Sequence, residues 1–179
     1  TAIADACRNL VVDDRTVVAE VISLPWLAHS RALLERRIDV GFTLVVDGRL
    51  PDPAVMRSHP LWEETESFAV ISERHPLATA DVIDPRDLAD LPLHLPDKAE
   101  TPDIYNLILE QLADAGVPAP RRAPPLATFA TVIAHIAAGD GWLLSARTLA
   151  RQTPPGLAAI PLAITVRHKL QFEIIWHAN

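Results

Sequence analysis

Residues 128–145 read TFATVIAHIAAGDGWLLS. Phe129, Val132, Ile133, Ile136 and Ala137 recur at i, i+3, i+4, i+7 and i+8, so they share one face of a helix over Thr128–Ala138. Thr128 is of the type that caps a helix start, and Gly139 of the type that ends one. Trp142–Ser145 follows as a short apolar run, of strand rather than helix length. A helix delivered into a strand through a glycine turn is the repeating unit of an α/β fold.

The same grammar extends toward the N-terminus. Ile104, Leu107, Ile108, Leu112 and Ala115 form an apolar stripe between Thr101 and Gly116. Thr101 suits the cap, Pro102 the first helical position and Asp103 the positive helix end. Gly116 supplies the closing turn, and Pro118 forbids continuation. A third helix, about Leu27 to Arg37, leads into a strand at Ile38–Val46, and a short one at Asp84–Leu91 has Asp84 as cap, Pro85 first and Asp87 third. Further strands are expected at Thr16–Ile22, Phe68–Ser72 and Gln171–Trp176. Their lack of clean alternation suits strands covered on both faces, as in parallel sheets. Ala2–Leu10 reads as a helix with no strand before it, which places part of the fold upstream of Thr1.

The chain has 179 residues, 16 Lys+Arg and 23 Asp+Glu, hence a net charge of −7. With 49% hydrophobic and 22% charged residues it is an ordinary globular composition. Folding at this length hides roughly 70% of the unfolded surface, enough for one domain or two small lobes. The acidic balance argues against broad binding to nucleic acid or anionic membrane. A single cysteine, Cys7, excludes an internal disulfide, a Cys-rich zinc site and a two-cysteine redox switch, and reads as a small buried hydrophobe. No apolar run approaches the ~18 residues of a membrane span, and TAIADACRNL lacks the basic and apolar regions of a secretory signal, so a cytoplasmic location is expected. The prolines cluster at Pro51–Pro60, Pro118–Pro125 and Pro154–Pro161, marking connections.

The catalytic inventory is thin. Six glycines form no nucleotide-binding loop, no serine sits in a G-x-S-x-G elbow, and the seven histidines show no helical metal-ligand spacing. His135 reads as a helix-surface or partly buried structural residue, and Glu63, Glu64 and Glu66 as a solvated stretch. No catalytic residue, metal ligand or cofactor is assigned. Binding geometry is better supplied. In open α/β sheets ligands lie beyond the strand ends, against helix N-termini that attract anions. The matching positions are Ser23–Trp26, Thr43–Val46, Leu95–Thr101, Thr128–Thr131 and Ser145–Arg147. Ser23 beside Trp26, Lys98 beside Thr101 and Thr128 beside Phe129 would line a site for a small, partly apolar carboxylate or aromatic. Capping by Thr101 and Thr128, and a core role for Trp26, explain those residues about equally well.

Several strings in order resemble one known family. They are Leu34–Phe42 (LERRIDVGF) and Leu61–Pro96, which enters on a strand-like Leu61–Glu64 and carries His75-Pro76-Leu77-Ala78 and then Asp87-Leu88-Ala89-Asp90-Leu91-Pro92. Tyr105–Gly116 and Thr131–Ser145 (TVIAHIAAGDGWLLS) follow, with Ser145 where that family usually has proline. Together they resemble the effector-binding domain of LysR-type transcriptional regulators, without its N-terminal winged helix-turn-helix and its opening strand. The resemblance implies an α/β fold of two Rossmann-like lobes, like type 2 periplasmic binding proteins. Lobe I would hold 1–68 plus 158–179, and lobe II 69–157. It implies a small effector, an organic acid or aromatic, in the interlobe cleft. The contacts carried over are Ser23, Leu24, Pro25, Trp26, Phe42, Thr43, Leu44, Pro96, Lys98, Thr101, Thr128, Phe129 and Thr131, with Lys98 or Arg147 as counter-charge. The implied partners are that effector, further copies of the chain as homodimer or homotetramer, and DNA only through a domain outside this sequence; no membrane and no enzymatic activity are implied. The alternative is a solute-binding protein of a transport system with the same fold. An enzyme on that fold would need converging acid and base groups, which the sequence does not mark.

Overall fold

The computed structural model describes residues 11–12, 15–16, 20–22, 24, 28–50, 52–99, 101–126 and 128–178. The expected helix Ala2–Leu10 with Cys7, and Ser23, Pro25 and Trp26, lie outside the described residues.

Along the chain, β1 (Val11–Val12) and β2 (Arg15–Thr16) form a small antiparallel ribbon. Then come α1 (His29–Leu34), β3 (Val40–Val46), β4 (Met56–Glu64) and β5 (Ser67–Ser72). The second half holds α2 (Pro102–Asp114), α3 (Phe129–Ala138), β6 (Leu143–Ala146), the single turn α4 (Arg147–Ala150), β7 (Leu157–Pro161) and β8 (Leu170–His177). Short 3-10 turns occupy Pro76–Thr79 and Pro85–Leu88, the latter opened by the Asp84 side chain, which accepts from the Arg86 N–H.

One sheet has the order β3-β8-β4 and another β6-β5-β7. Both are antiparallel, which corrects the parallel-sheet expectation. Among the described residues, parallel pairing survives only in isolated bridges, Leu93 with Trp142 and Arg122, and Ile83 with Leu162. The reason is visible in β5. Ala69 and Ile71 enter a core with Leu93, Ile108, Leu112 and Trp142, while Val70 enters another with Ile136, Leu143 and Leu157. Burial on both faces thus reports helices α2 and α3 packed on either side, and says nothing about the direction of neighbouring strands. A third core, Leu33, Met56 and Ile175, serves the β3-β8-β4 sheet. Each such fully buried aliphatic contributes about 1.5–3 kcal/mol.

The two long helices form where the apolar period places them. Gly116 and Gly139 close them with φ of 88° and 94°, conformations in which a side chain is strained. Thr128 caps α3, its hydroxyl accepting from the Thr131 N–H at 3.2 Å. Thr101 occupies the cap position of α2 but does not cap with its side chain, since its hydroxyl instead donates to the Asp97 carbonyl at 3.0 Å. Phe129, assigned to the apolar stripe, is 54% exposed.

Two expected connections contain strands. Pro60 lies inside β4 and Pro161 ends β7. Proline is tolerated there because β4 is an edge strand and its register slips between Pro60 and Trp62. Among the described residues of the expected strand Thr16–Ile22, Thr16 is paired, whereas Glu20, Val21 and Ile22 are exposed and outside any strand; 17–19 lie outside the described residues.

Candidate functional site

Strand β3 carries three of the nominated positions. Thr43 is buried opposite Glu173, which is also buried, whereas Phe42 and Leu44 point to the half-exposed face. There the Phe42 and Phe172 rings stack with centroids 6.4 Å apart, and Trp62 stacks on Phe172 at 4.5 Å. The row spans β3, β8 and β4, and Phe172 and Trp62 were not nominated from sequence. The Phe42 N–H donates to His29 Nδ1 at 3.3 Å, tying β3 to α1. Leu24 is half-buried.

The loop before α2 closes on itself. Asp97 accepts from the Ala99 N–H at 2.7 Å, and its carbonyl from both the hydroxyl and the N–H of Thr101. Pro96 is half-buried and Lys98 exposed. Lys98 Nζ stands 5.4 Å from the Tyr105 ring centre, and the Arg122 guanidinium 5.9 Å from the same centre. Arg122 also donates to the Tyr105 hydroxyl at 3.1 Å. One ring therefore holds two cations, each contact worth about 0.5–1 kcal/mol at an exposed site. Arg122 was missed because nothing local marks an arginine after a proline turn as a neighbour of Tyr105.

At the start of α3 the Thr128 and Thr131 hydroxyls are 2.8 Å apart beside exposed Phe129. One turn further, the His135 ring meets buried His94 with centroids 6.2 Å apart. His94 Nε2 lies 3.3 Å from the Asp140 carbonyl, and burial lowers the His94 pKa from its ordinary 6.5. Gly141 permits this closeness, since a Cβ there would stand 2.5 Å from the Pro92 carbonyl oxygen and 2.8 Å from His94 Nε2.

Arg147 opens α4 and is ion-paired with Glu66, so its charge already has a partner. The next residue, Thr148, donates to Glu64, which also accepts from Trp62 Nε1 at 2.9 Å. Glu64 is only 4% exposed, which corrects the solvated reading for that residue, while Glu63 and Glu66 are exposed as expected. A cavity of about 380 Å³ lies beside this contact, lined by Glu66, Phe68, Arg147, Ala150, Arg151 and Ala159. A second, about 610 Å³, lies between Leu33, Ile38, Val40 and Trp176.

Among the described residues, no hydrogen bond, ion pair or ring contact joins Phe42–Leu44, Pro96–Thr101 and Thr128–Thr131 to one another. Among them, too, no group of three or more His, Cys, Asp or Glu is placed to hold a metal ion, and no helix is long and apolar enough to cross a membrane.

Residues 15–179 match the family model described as LysR substrate binding domain. The chain is 32% identical over 148 residues to the HTH-type transcriptional regulator TtuA of Agrobacterium vitis, covering 80% of this chain and 47% of that protein. It thus spans about half the length of the curated relative it matches. Among solved structures, the C-terminal domain of a probable LysR family regulator from Rhodococcus sp. RHA1 is 26% identical with a TM-score of 0.60, over 82% of this chain and 69% of that one. The BenM effector binding domain with its effector benzoate shares the fold at 22% identity and a TM-score of 0.60, over 84% of this chain and 65% of that one. With the mixed α/β sheets, their separate cores and this near-complete family match, the chain belongs to the LysR substrate-binding domain family.

Proposed function

We propose that this chain is the effector-sensing part of a transcriptional regulator, binding a small molecule and passing its presence to a DNA-reading domain outside this sequence. The observation that carries the reading is the pair of separately cored sheets within a LysR substrate-binding domain. They support two lobes with the crossings at 65–66 and 162–169, so that β5 and β7 stay whole, whereas the expected bounds of 1–68 plus 158–179 and 69–157 would cut both strands. The effector would sit between them against Phe42–Leu44, Pro96–Thr101 and Thr128–Thr131, with Ser23–Trp26 proposed as further contacts. Lys98 is the better counter-charge for a carboxylate, because Glu66 occupies Arg147. The effector class is an organic acid or aromatic; benzoate is the effector named for BenM.

A ligand moves such an equilibrium only through unequal affinity for two lobe arrangements. The rearrangement would act through contacts with further copies of the chain, in the cytoplasm where DNA is reached. This is binding work, not catalysis: TtuA is named a transcriptional regulator. A thermal-shift screen of aromatic acids, aliphatic acids and amino acids tests the reading. A ligand at a hundred times its Kd stabilises the fold by about 2.7 kcal/mol, so a clear rise in Tm is expected from at least one class. No rise from any, with a full-length parent that responds to one of them on DNA, would sink the cleft assignment.

A further inference from the structure

The segment between β7 and β8 makes an ionic contact on each side of it. His168 Nδ1 lies 2.8 Å from Asp47 Oδ2, and its Nε2 lies 3.5 Å from Glu110 Oε2. Asp47 follows β3 in the first sheet, and Glu110 is on α2, whose Ile108 and Leu112 belong to the core of the second. One ring thus stands between carboxylates of the two halves. Asp47 is itself fixed: its Oδ1 accepts the Lys169 N–H at 2.9 Å, and its own N–H donates to the Lys169 carbonyl at 2.8 Å. Beside it Arg167 pairs with Asp114 of α2 at 3.0 Å, so two contacts run from this segment to one helix.

We infer that this crossing is a pH-sensitive latch, in which His168 ties the turn after β3 to α2 when both ring nitrogens carry protons and releases one side when only one does. The inference rests on the two-lobe reading above. Its chemistry is the imidazole's: the neutral ring has one N–H and can donate to one carboxylate only, whereas the cation donates to both. The surrounding charge favours the cation. Asp47 and Glu110 attract it, with Asp114 nearby on α2, while Arg49 after β3 opposes it and Arg167 and Lys169 flank it on its own segment. The hydrogen bond to Asp47 is the main cause that raises the His168 pKa above its ordinary 6.5, so release falls in the range above that value. The ring remains open to solvent, with a third of its side chain exposed, so proton exchange is unobstructed.

Two measurements on the full 179-residue chain test this. The first is an NMR titration of the His168 ring, assigned by its loss in His168→Gln. The midpoint is expected above 6.5, lower in Glu110→Gln and lower still in Asp47→Asn, because each variant removes one favourable carboxylate. The second is the distance between spin labels at Arg57 on β4 and Val82 beside the second sheet, in a Cys7→Ser background. A narrow distribution at pH 6 that broadens at pH 8.5, and is broad at both in Glu110→Gln, is the expected result. A midpoint unmoved by Glu110→Gln overturns the latch and leaves the two lobes standing. A single narrow distance at both pH values in every variant overturns the mobility of the lobes, and the latch with it.

Discussion

Glu64 is the residue whose role most departs from its sequence neighbourhood. Flanked by Glu63 and Glu66, it looks like part of a hydrated acidic run, yet its carboxylate is enclosed by Trp62 and by Thr148, 84 residues on. No local rule foresees that, since the enclosing hydroxyl comes from α4. Removing the acceptor leaves an indole N–H and a hydroxyl without their partner, which costs about 1–3 kcal/mol. Glu64→Ala should therefore lower urea stability by that amount, and the neighbouring exposed Glu63→Ala should leave it nearly unchanged. His94 makes a second prediction at this scale. Its pKa is depressed, so the folded state holds the neutral ring while the unfolded chain takes up a proton near 6.5. Stability is then lost as pH falls below 6.5 toward the depressed value, and His94→Gln should flatten that part of a stability–pH profile.

Among the elements, the two long helices were legible, while α4 and half the strands were not. α2 and α3 follow from a 3.6-residue period bounded by threonine and glycine, signals confined to a dozen residues. β4 offers no such periodic signal, because Met56 and Glu64 are its only buried residues and Pro60 interrupts it; only its end, Leu61–Glu64, was readable, and that by family resemblance. It exists as a strand because β8 gives it a partner, which is information from the other end of the chain. Two threonines at helix starts looked alike in sequence and differ in place. Thr128→Val should cost about 1 kcal/mol through the lost cap, by chemical denaturation. Thr101→Val should cost less, since its hydroxyl serves the Asp97 carbonyl and caps nothing. If Thr128 also contacts effector, its valine variant should bind more weakly than that stability loss explains; unchanged affinity would return Thr128 to capping alone.

For the whole molecule, strand direction was the part beyond reach. Local patterns reported that β5 is covered on two sides, and only the fold reports that β6 and β7 run against it. The division into two sheets was legible through family resemblance, in the order of HPLA, DLADLP and the glycine turn at Gly139, and not through composition. Of the candidate site, Thr128 was readable as a helix start, whereas Phe42–Leu44, expected at a strand end, lie in the middle of β3, and Arg122, Phe172 and Trp62 join their neighbours only through tertiary packing. Electrostatics at this scale gives an opposite slope to that of His94. The raised pKa of His168 means its contribution is complete below 6.5 and fades as pH climbs through the raised value. That of Asp47, whose pKa is lowered chiefly by His168, is present above 3.8 and fades as pH falls through its depressed value. The Tm gap between the native chain and His168→Gln should accordingly be widest near pH 5–6 and close above neutrality; a gap constant from pH 5 to 9 would contradict it.

β4 ends at Glu64 and β5 begins at Ser67, so at the first of the two crossings only Thr65 and Glu66 separate one sheet from the other. Two residues offer four soft torsions, and α4 grips the residues on and beside them, Thr148 at Glu64 and Arg147 at Glu66. Mechanically this is a pivot with little slack. Were the lobes to move as proposed, sheets joined so tightly would swing about it rather than slide apart, with displacement growing with distance from the axis. A shift of a fraction of an ångström near Glu66 would then be magnified at the far rims, where a neighbouring molecule would register it.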